Sequence, residues 1–594
     1  MATCPLRLRL VSAAVLALSS LAATAQSARV ISSAPAAVTI PSAPAAVTIS
    51  STPAAATIPS APAAVTVRTT PAYAAAPEAP AAPLAPATAS SPAVAALPSS
   101  APLSAQERAL HVLDRIAYGP RPGDLERVAR IGAERYIAEQ LDPERIPMPD
   151  ALKAKLAALP TYSMDQGRLF VLYGPPSFPS KSQGQEALKA AHARAREIVR
   201  DAHRARLWRA VESPRQLEEV MTEFWFNHFN VFEGKEWDRY WTGNFERTAI
   251  RPNALGSFRE LLGAVAHHPA MLYYLDNWLS SGADAPAARG RFKGLNENYA
   301  RELLELHTLG VNGGYTQDDV IALARILTGW TIDVPGMKAG RTAGFLFAEK
   351  RHDFGNKVLL GKSIQASGEA EGERALDMLA AHPSTARFVS AKLAQYFIAD
   401  VPNPELVDRL AQRFSATRGN IRAVLETLFQ SPEFWARENY QAKFKTPYQY
   451  IVSALRASDL PVLNTRPIEG ALAQLGMPLY GWPTPDGYKN TPAAWLNPDA
   501  MVRRINFATV IGSGRSPVSR PEPAFEPVRE TRSEGLPPRA GEGEDRAAPA
   551  PIDAAMLQTT LGPALSSGTR AAVAAAPPGL RAAMILGGPD FMRR

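Results

Sequence analysis

The sequence predicts a mostly α-helical protein, a multi-helical antiparallel domain with one small β-hairpin, flanked and interrupted by disordered segments. Three observations carry this. Apolar residues recur at helical spacing in segment after segment from about Leu103 to Gly512, punctuated by Gly, Pro and capping residues. A strand-like pattern is clear only once, after Trp330. Two further stretches, 26–103 and 513–552, are too poor in large apolar residues to bury a core.

Residues 1–25 read as a secretory signal. Arg7 and Arg9 supply the charged start, Leu10 to Leu21 the short apolar run, and Ala23-Thr24-Ala25 the cleavage site. Export to the periplasm or the extracellular space follows as an expectation. The single cysteine, Cys4, leaves with the signal, which excludes disulfides and thiolate metal sites from the mature chain. No other run approaches the length of a membrane span. The formal charge of +8 falls by two, to +6, once Arg7 and Arg9 are removed. That is mild for 594 residues and speaks against nucleic acid as a partner. Residues 26–103 carry a nine-residue Ala/Pro repeat starting at Ser33, Ser42, Ser51 and Ser60, which reads as an extended, disordered spacer.

The helical domain is expected over 104–512. Ser104 and Glu107 have capping-box spacing, and QERALHVLDRIAYG and DLERVARIGAERYIAEQL follow as two helices. A long basic helix runs from Gln185 to about Val211, its charge relieved by Glu186, Glu197 and Asp201. Ser213-Pro214 should open the next one, SPRQLEEVMTEFWFNHFNVF, which places His228 among aromatics as a metal ligand, a proton carrier or a hydrogen-bonded core residue. AGFLFAEKRHDFGNKVLLGKSI reads as two short strands around a polar turn holding His352, Asp353 and Asn356. Helices then return up to the proline-rich loop GMPLYGWPTPDGYKNTPAAWLNPD, after which Asn497-Pro498 starts a final long one. Residues 513–552 read as a disordered insertion. The last forty residues do not: LRAAMILGGPDFMRR echoes AVLETLFQSPEFWAR at 423–437, so helices of 553–594 should pack back on the domain and Phe591 should be buried as Phe434 is.

The stretch from Leu295 to Trp330 is the densest in chemistry. It reads as two helices joined by a turn at Gly313-Gly314, the first ended by Gly310 and the second opened by Thr316 with Asp319. At about 100° per residue, Asn298, Glu302 and Glu305 fall within roughly a 60° arc, and His307 lies opposite. The helix is otherwise rich in leucine, so each glutamate should meet a cation, either an arginine such as Arg325 or Arg503 or a metal ion.

These segments resemble the bacterial family called domain of unknown function 1800. The likeness is carried by RALHVLDRIAYGPRPGDLERV, FWFNHF, PAMLYYLDN, NENYARELLELHTLGVNGGYTQDDVIALARILTGW, HDFGNKVLLG, KFKTPYQYIVSALRA and the closing GPDFMRR. Where other members tend to read SPEFQ near the end, this chain has GGPDFM. The resemblance implies an exported, largely helical protein without an established activity. Its implied partner is an exported protein of the family called domain of unknown function 1501, which resembles phosphatases and sulfatases. No catalytic residue can be transferred on it.

Two functional classes compete. The first is an envelope or secreted accessory and binding protein acting with that exported partner; Trp482, Tyr488 and Trp495 in the proline-rich loop are its candidate binding aromatics. The alternative is a metal-dependent hydrolase built on Asn298, Glu302, Glu305, His307, His228, His352 and Asp353, whose oxygen and imidazole donors suit zinc, manganese or non-haem iron. The spacing argues against it, since Glu305-x-His307 points its two side chains about 160° apart on an ideal helix. A calcium loop at Gly313–Asp319 would lack its first acidic ligands.

Overall fold

The computed structural model describes residues 101–177, 184–292, 294–522 and 550–594. The expected signal peptide, the repeat region up to residue 100 and positions 523–549 lie outside the described residues.

Local capping chemistry starts the helices. Ser104 accepts from the Glu107 amide while Glu107 answers the Ser104 amide, and the helix Ala105–Arg115 follows. The same reciprocal box, Thr316 with Asp319 and Thr446 with Gln449, opens Gln317–Ile326 and Pro447–Ala457. Asn497 caps Pro498–Gly512. One expected start moves: Ser213 instead accepts from the Arg215 amide at 3.1 Å, and the helix begins at Gln216.

The result is mostly α-helical, with two small antiparallel strand pairs among the described residues. Their pairing differs from a single hairpin across the HDFGN turn. Phe345–Phe347 pairs with Trp330–Ile332, and Lys357–Leu359 pairs with Lys362–Ile364. The reason lies between them. His352 is drawn inward, its Nε2 3.0 Å from Glu371, which also takes Lys357 at 2.6 Å, so the connection dives into the core instead of reversing.

One continuous apolar core runs from Leu110 to Met592, with Trp225, Trp241 and Trp330 fully buried in it. Part of the charge inside it comes paired. Arg251 bonds Glu219 at 2.6 Å and Glu246 at 3.0 Å, and Arg206 reaches Glu246 at 3.1 Å. This network fastens the long basic helix Gln185–Glu212 to Gln216–His228 and to the π-turn Glu246–Ile250.

The chain end is part of this body. The helix Pro578–Gly587 packs along Pro498–Gly512, and Lys443 and Arg594 exchange backbone hydrogen bonds of 3.1 and 2.8 Å. Phe591 and Phe434 are 2% and 0% exposed, as their matching Pro-acid-Phe endings require. The insertion, however, is not disordered from position 513. Val518 is fully buried in a short 3-10 turn, Leu463 and Asn464 donate to its carbonyl at 2.9 Å, and Glu522 pairs with Arg204 and Arg466. On the far side the Ile552 amide donates to Gly512 at 3.0 Å. A single valine and a glutamate in reach of two arginines are enough to order what composition alone marks as loose.

Candidate functional site

The central helix departs from ideal phase where it matters most. It is α-helical only over Asn298–Glu302 and then widens into a π-helix, Leu303–Thr308, ended by Gly310 at φ +84°. The wider turn shifts every later side chain relative to the 100° rule. Glu302 and Glu305 end up half-buried, and neither meets an arginine, lysine or histidine among the described residues. Glu305 accepts only from the Tyr315 hydroxyl, at 3.4 Å. Arg325 and Arg503, the expected partners, are engaged elsewhere, with Asp353 and Asp499, both at 2.7 Å. Partial exposure replaces the cation: water reaches both carboxylates. Burial, followed by the neighbouring charge of Glu305, still pushes Glu302 up to about 6.

The other members of the proposed cluster separate. Asn298 donates to the Leu275 carbonyl at 3.4 Å. His352 and Asp353 belong to the Glu371–Lys357 and Arg325 pairs beneath the strand pairs. Only His228 and His307 approach each other, with ring centroids 6.3 Å apart. Among the described residues no group of three or more His, Cys, Asp or Glu side chains is placed to hold a metal ion. The calcium reading fails on the same geometry, because Asp319 is spent on the Thr316 cap and on the Leu360 amide at 2.6 Å.

What the structure does assemble is a cavity of about 310 Å³ against the FWFNHF helix. Its walls are Phe224, Asn227 and His228 from Gln216–His228, Lys392 and Tyr396 from Pro383–Phe397, and the loop residues Asp486, Tyr488 and Lys489. The loop is pinned from below by two asparagines of the FNHFN run. Asn227 donates to the Tyr488 carbonyl at 2.8 Å and accepts from its amide at 2.7 Å; Asn230 donates to the carbonyls of Trp482 and Thr484. Gly487 is required at the contact: its φ is +68°, and a Cβ there would lie 2.2 Å from the Asn227 carbonyl oxygen.

The motifs forming this cavity all fall within residues 111–593, the span matched by the family model described as protein of unknown function (DUF1800). The chain belongs to the DUF1800 family. No curated protein and no solved structure matches it.

The electrostatics of this DUF1800 cavity are uneven. Asp486 is held at about 2: burial works against its charge, but hydrogen bonds from Lys489 (2.7 Å), Thr484 and Trp482 outweigh it. Glu223 is fully enclosed, and burial raises its carboxyl even though the Tyr396 hydroxyl donates to it at 2.5 Å. Lys392 stands apart. Its ammonium lies 5.2 Å from the Phe388 ring centroid and makes no ion pair among the described residues. Burial and the charge of Lys489 lower it to about 8. His228 presents one nitrogen to the His307 carbonyl at 3.1 Å and leaves Nδ1 without a partner.

The three loop aromatics form a cluster rather than an open platform. Trp482 and Tyr488 are 4.9 Å apart, Tyr488 and Trp495 6.1 Å. Their polar atoms are satisfied within the loop, by Asp486, by the Pro478 carbonyl and by the Lys489 carbonyl. Yet all three line a second cavity of about 360 Å³, and Tyr488 and Lys489 border both. Sequence reasoning found His228, Tyr488 and the aromatics but missed Lys392, Glu223, Asp486 and Asn227. A signal for one was present: Phe388, Lys392 and Tyr396 recur every fourth residue, so a lysine shares a helix face with two aromatics.

Proposed function

We propose that this DUF1800 chain is an exported accessory protein that binds an anionic ligand in the cavity between Gln216–His228, Pro383–Phe397 and the 477–491 loop. In this reading it works in the periplasm or outside the cell, beside an exported partner of the domain of unknown function 1501 family, and not on nucleic acid. Among the described residues no helix is long and apolar enough to cross a membrane.

One observation carries the reading: the Lys392 ammonium sits in a concave cavity walled by aromatics, Glu223 and Asp486, and forms no ion pair among the described residues. A half-buried cation without a counter-charge is costly unless a ligand supplies one. Asp486 answers it only in part: its charge favours the Lys392 ammonium, but it is hydrogen-bonded to Lys489, and burial with the charge of Lys489 outweighs it. The test is calorimetric titration of the mature chain with carboxylates, sulfate and phosphate, together with Lys392→Met. Anion binding that this variant abolishes supports the reading. Equal binding by parent and variant, or none by either, defeats it.

A further inference from the structure

An ammonium that lacks an ion pair has a second way out: it can give up its proton. The Lys392 Nζ makes no hydrogen bond or ion pair among the described residues, stands 5.2 Å from the centroid of Phe388, and retains accessible surface in a residue that lines the cavity. The two charges that act on it, Lys489 and Asp486, line the same cavity. Burial is the larger influence; with Lys489 it outweighs Asp486, which favours the ammonium, and brings Lys392 to about 8. At pH 7 about a tenth of it is then free amine, against less than about one part in a thousand for an ordinary lysine. A desolvated lysine within reach of a second cation's charge is an activated nucleophile.

The cavity's buried carboxyl, Glu223, supplies the matching acid. The Thr446 amide can only donate, so the Gln449 atom 3.1 Å from it is the oxygen, and the Gln449 nitrogen faces the Tyr396 hydroxyl at 3.1 Å. Tyr396 therefore accepts from Gln449 and donates its own proton to Glu223 Oε2 at 2.5 Å. A proton held by Glu223 sits on the other oxygen, Oε1, which has no protein partner and retains accessible surface. Burial favours that protonated form against the Tyr396 hydrogen bond and the charges of Arg206 and Arg594. Lys392 and Tyr396 lie one helical turn apart in Pro383–Phe397, so the amine and the acid that Tyr396 holds border the cavity from neighbouring positions. Asp486, the other carboxylate there, stays charged; its bonds from Lys489, Thr484 and Trp482 leave it no proton to give.

We propose that the cavity captures a small aldehyde or ketone as an imine on Lys392, with Glu223 Oε1 as the proton donor. The nitrogen lone pair forms the new C–N bond, and the carbonyl π pair moves to the oxygen, which takes the Glu223 proton. Glu223 recovers a proton from the nitrogen and returns it to the new hydroxyl. The hydroxyl leaves as water while the nitrogen lone pair closes the C=N bond, giving a protonated imine and an ionised Glu223. One water is released, and nothing is oxidised or reduced. This goes beyond the anion reading: it uses the free amine, and the ammonium remains the anion's partner.

The experiment treats the mature chain with glycolaldehyde and sodium cyanoborohydride at pH 7 and locates the reduced adduct by peptide mass spectrometry. Lys392 should be labelled at least about tenfold faster than any other lysine, exposed Lys489 and buried Lys445 included. Glu223→Gln, which keeps the shape and removes the acid, should slow Lys392 by at least about tenfold and leave the exposed lysines unchanged. Lys392→Met should remove the fast labelling. The mapping needs no variant, so it decides even where Glu223→Gln does not fold. Label spread evenly over the lysines, or absent from Lys392, overturns the proposal and leaves anion binding untouched. Fast labelling of Lys392 that Glu223→Gln does not slow overturns the role of Glu223.

Discussion

Asn227 holds Tyr488, 261 residues away in sequence, by both ends of one amide group, donating at 2.8 Å and accepting at 2.7 Å. The side chain imitates a strand neighbour, giving a non-regular loop the pairing it would have in a sheet. Through it, the FWFNHF helix decides where the Asp486–Lys489 wall of the cavity stands.

Breaking that clamp should loosen the loop more than the domain. Asn227→Leu leaves both Tyr488 backbone groups without their partner and should cost about 1–3 kcal/mol. Gly487→Ala forces the same contact apart from the other side, through a Cβ 2.2 Å from the Asn227 carbonyl oxygen. Urea denaturation gives the stability change. Hydrogen exchange at the Tyr488 amide should accelerate in both variants, and unchanged protection would show that the loop is held by something else.

Phe591 should be as indispensable as a central core residue. It is buried against Tyr450, with ring centroids 5.7 Å apart, and the Lys445 ammonium sits 4.1 Å over its face. Phe591→Ala should cost about 3–5 kcal/mol. A cooperative melt at the parent temperature would mean that the terminal segment is a passenger.

How much of this was legible in the sequence varied with the kind of interaction. Capping boxes at Ser104 and Thr316 use residues within one turn of each other, so spacing reveals them. The repeated Pro-acid-Phe ending predicted the burial of Phe591 for the same local reason. The strand pairing was not legible, because it depends on His352 meeting Glu371 and Lys357 inside the fold. The π-turn itself was not legible, because the spacing of Leu303, Leu304, Leu306 and Leu309 does not mark it. Lys392 escaped notice because what sets it apart is the missing carboxylate, a property of the assembled cavity.

His203 predicts how stability depends on pH. It is clamped between Glu233 at 3.0 Å and Glu469 at 3.4 Å, joining the long basic helix to Arg466–Gln474. Burial opposes the charge, but the hydrogen bonds to Glu233 and then to Glu469 prevail and lift it to about 9. A raised histidine contributes fully below its unfolded value near 6.5 and loses that contribution as pH rises through its folded value. Stability should therefore fall between about pH 6.5 and 9, by up to about 3 kcal/mol from this group. His203→Gln should be less stable than the parent at pH 6 and should flatten this fall. A parallel pH profile in the variant would exclude His203 as its source.

The same substitution at two glutamates should act with opposite sign. Glu371 is fully buried between Lys357 and His352; burial resists its charge, but those two hydrogen bonds draw its carboxyl below the ordinary range. A lowered carboxyl stabilises above its unfolded value and loses that as pH falls through its folded one. Glu371→Gln removes the charge and strands a buried ammonium, which should cost about 3–5 kcal/mol at pH 7. Glu302 is raised instead, by burial and then by Glu305, which outweigh the opposing charge of Arg301, and it forms no ion pair among the described residues. Its charge therefore weighs against the fold as pH rises through about 6. Glu302→Gln removes that penalty, and should stabilise the chain by about 1 kcal/mol at pH 8 once solvent screening is discounted, with no change at pH 4. Urea titrations at both pH values separate the cases. If Glu302→Gln destabilised the protein as Glu371→Gln does, a cation would have to be paired with Glu302, and the half-buried carboxylate without an ion pair described above would be wrong.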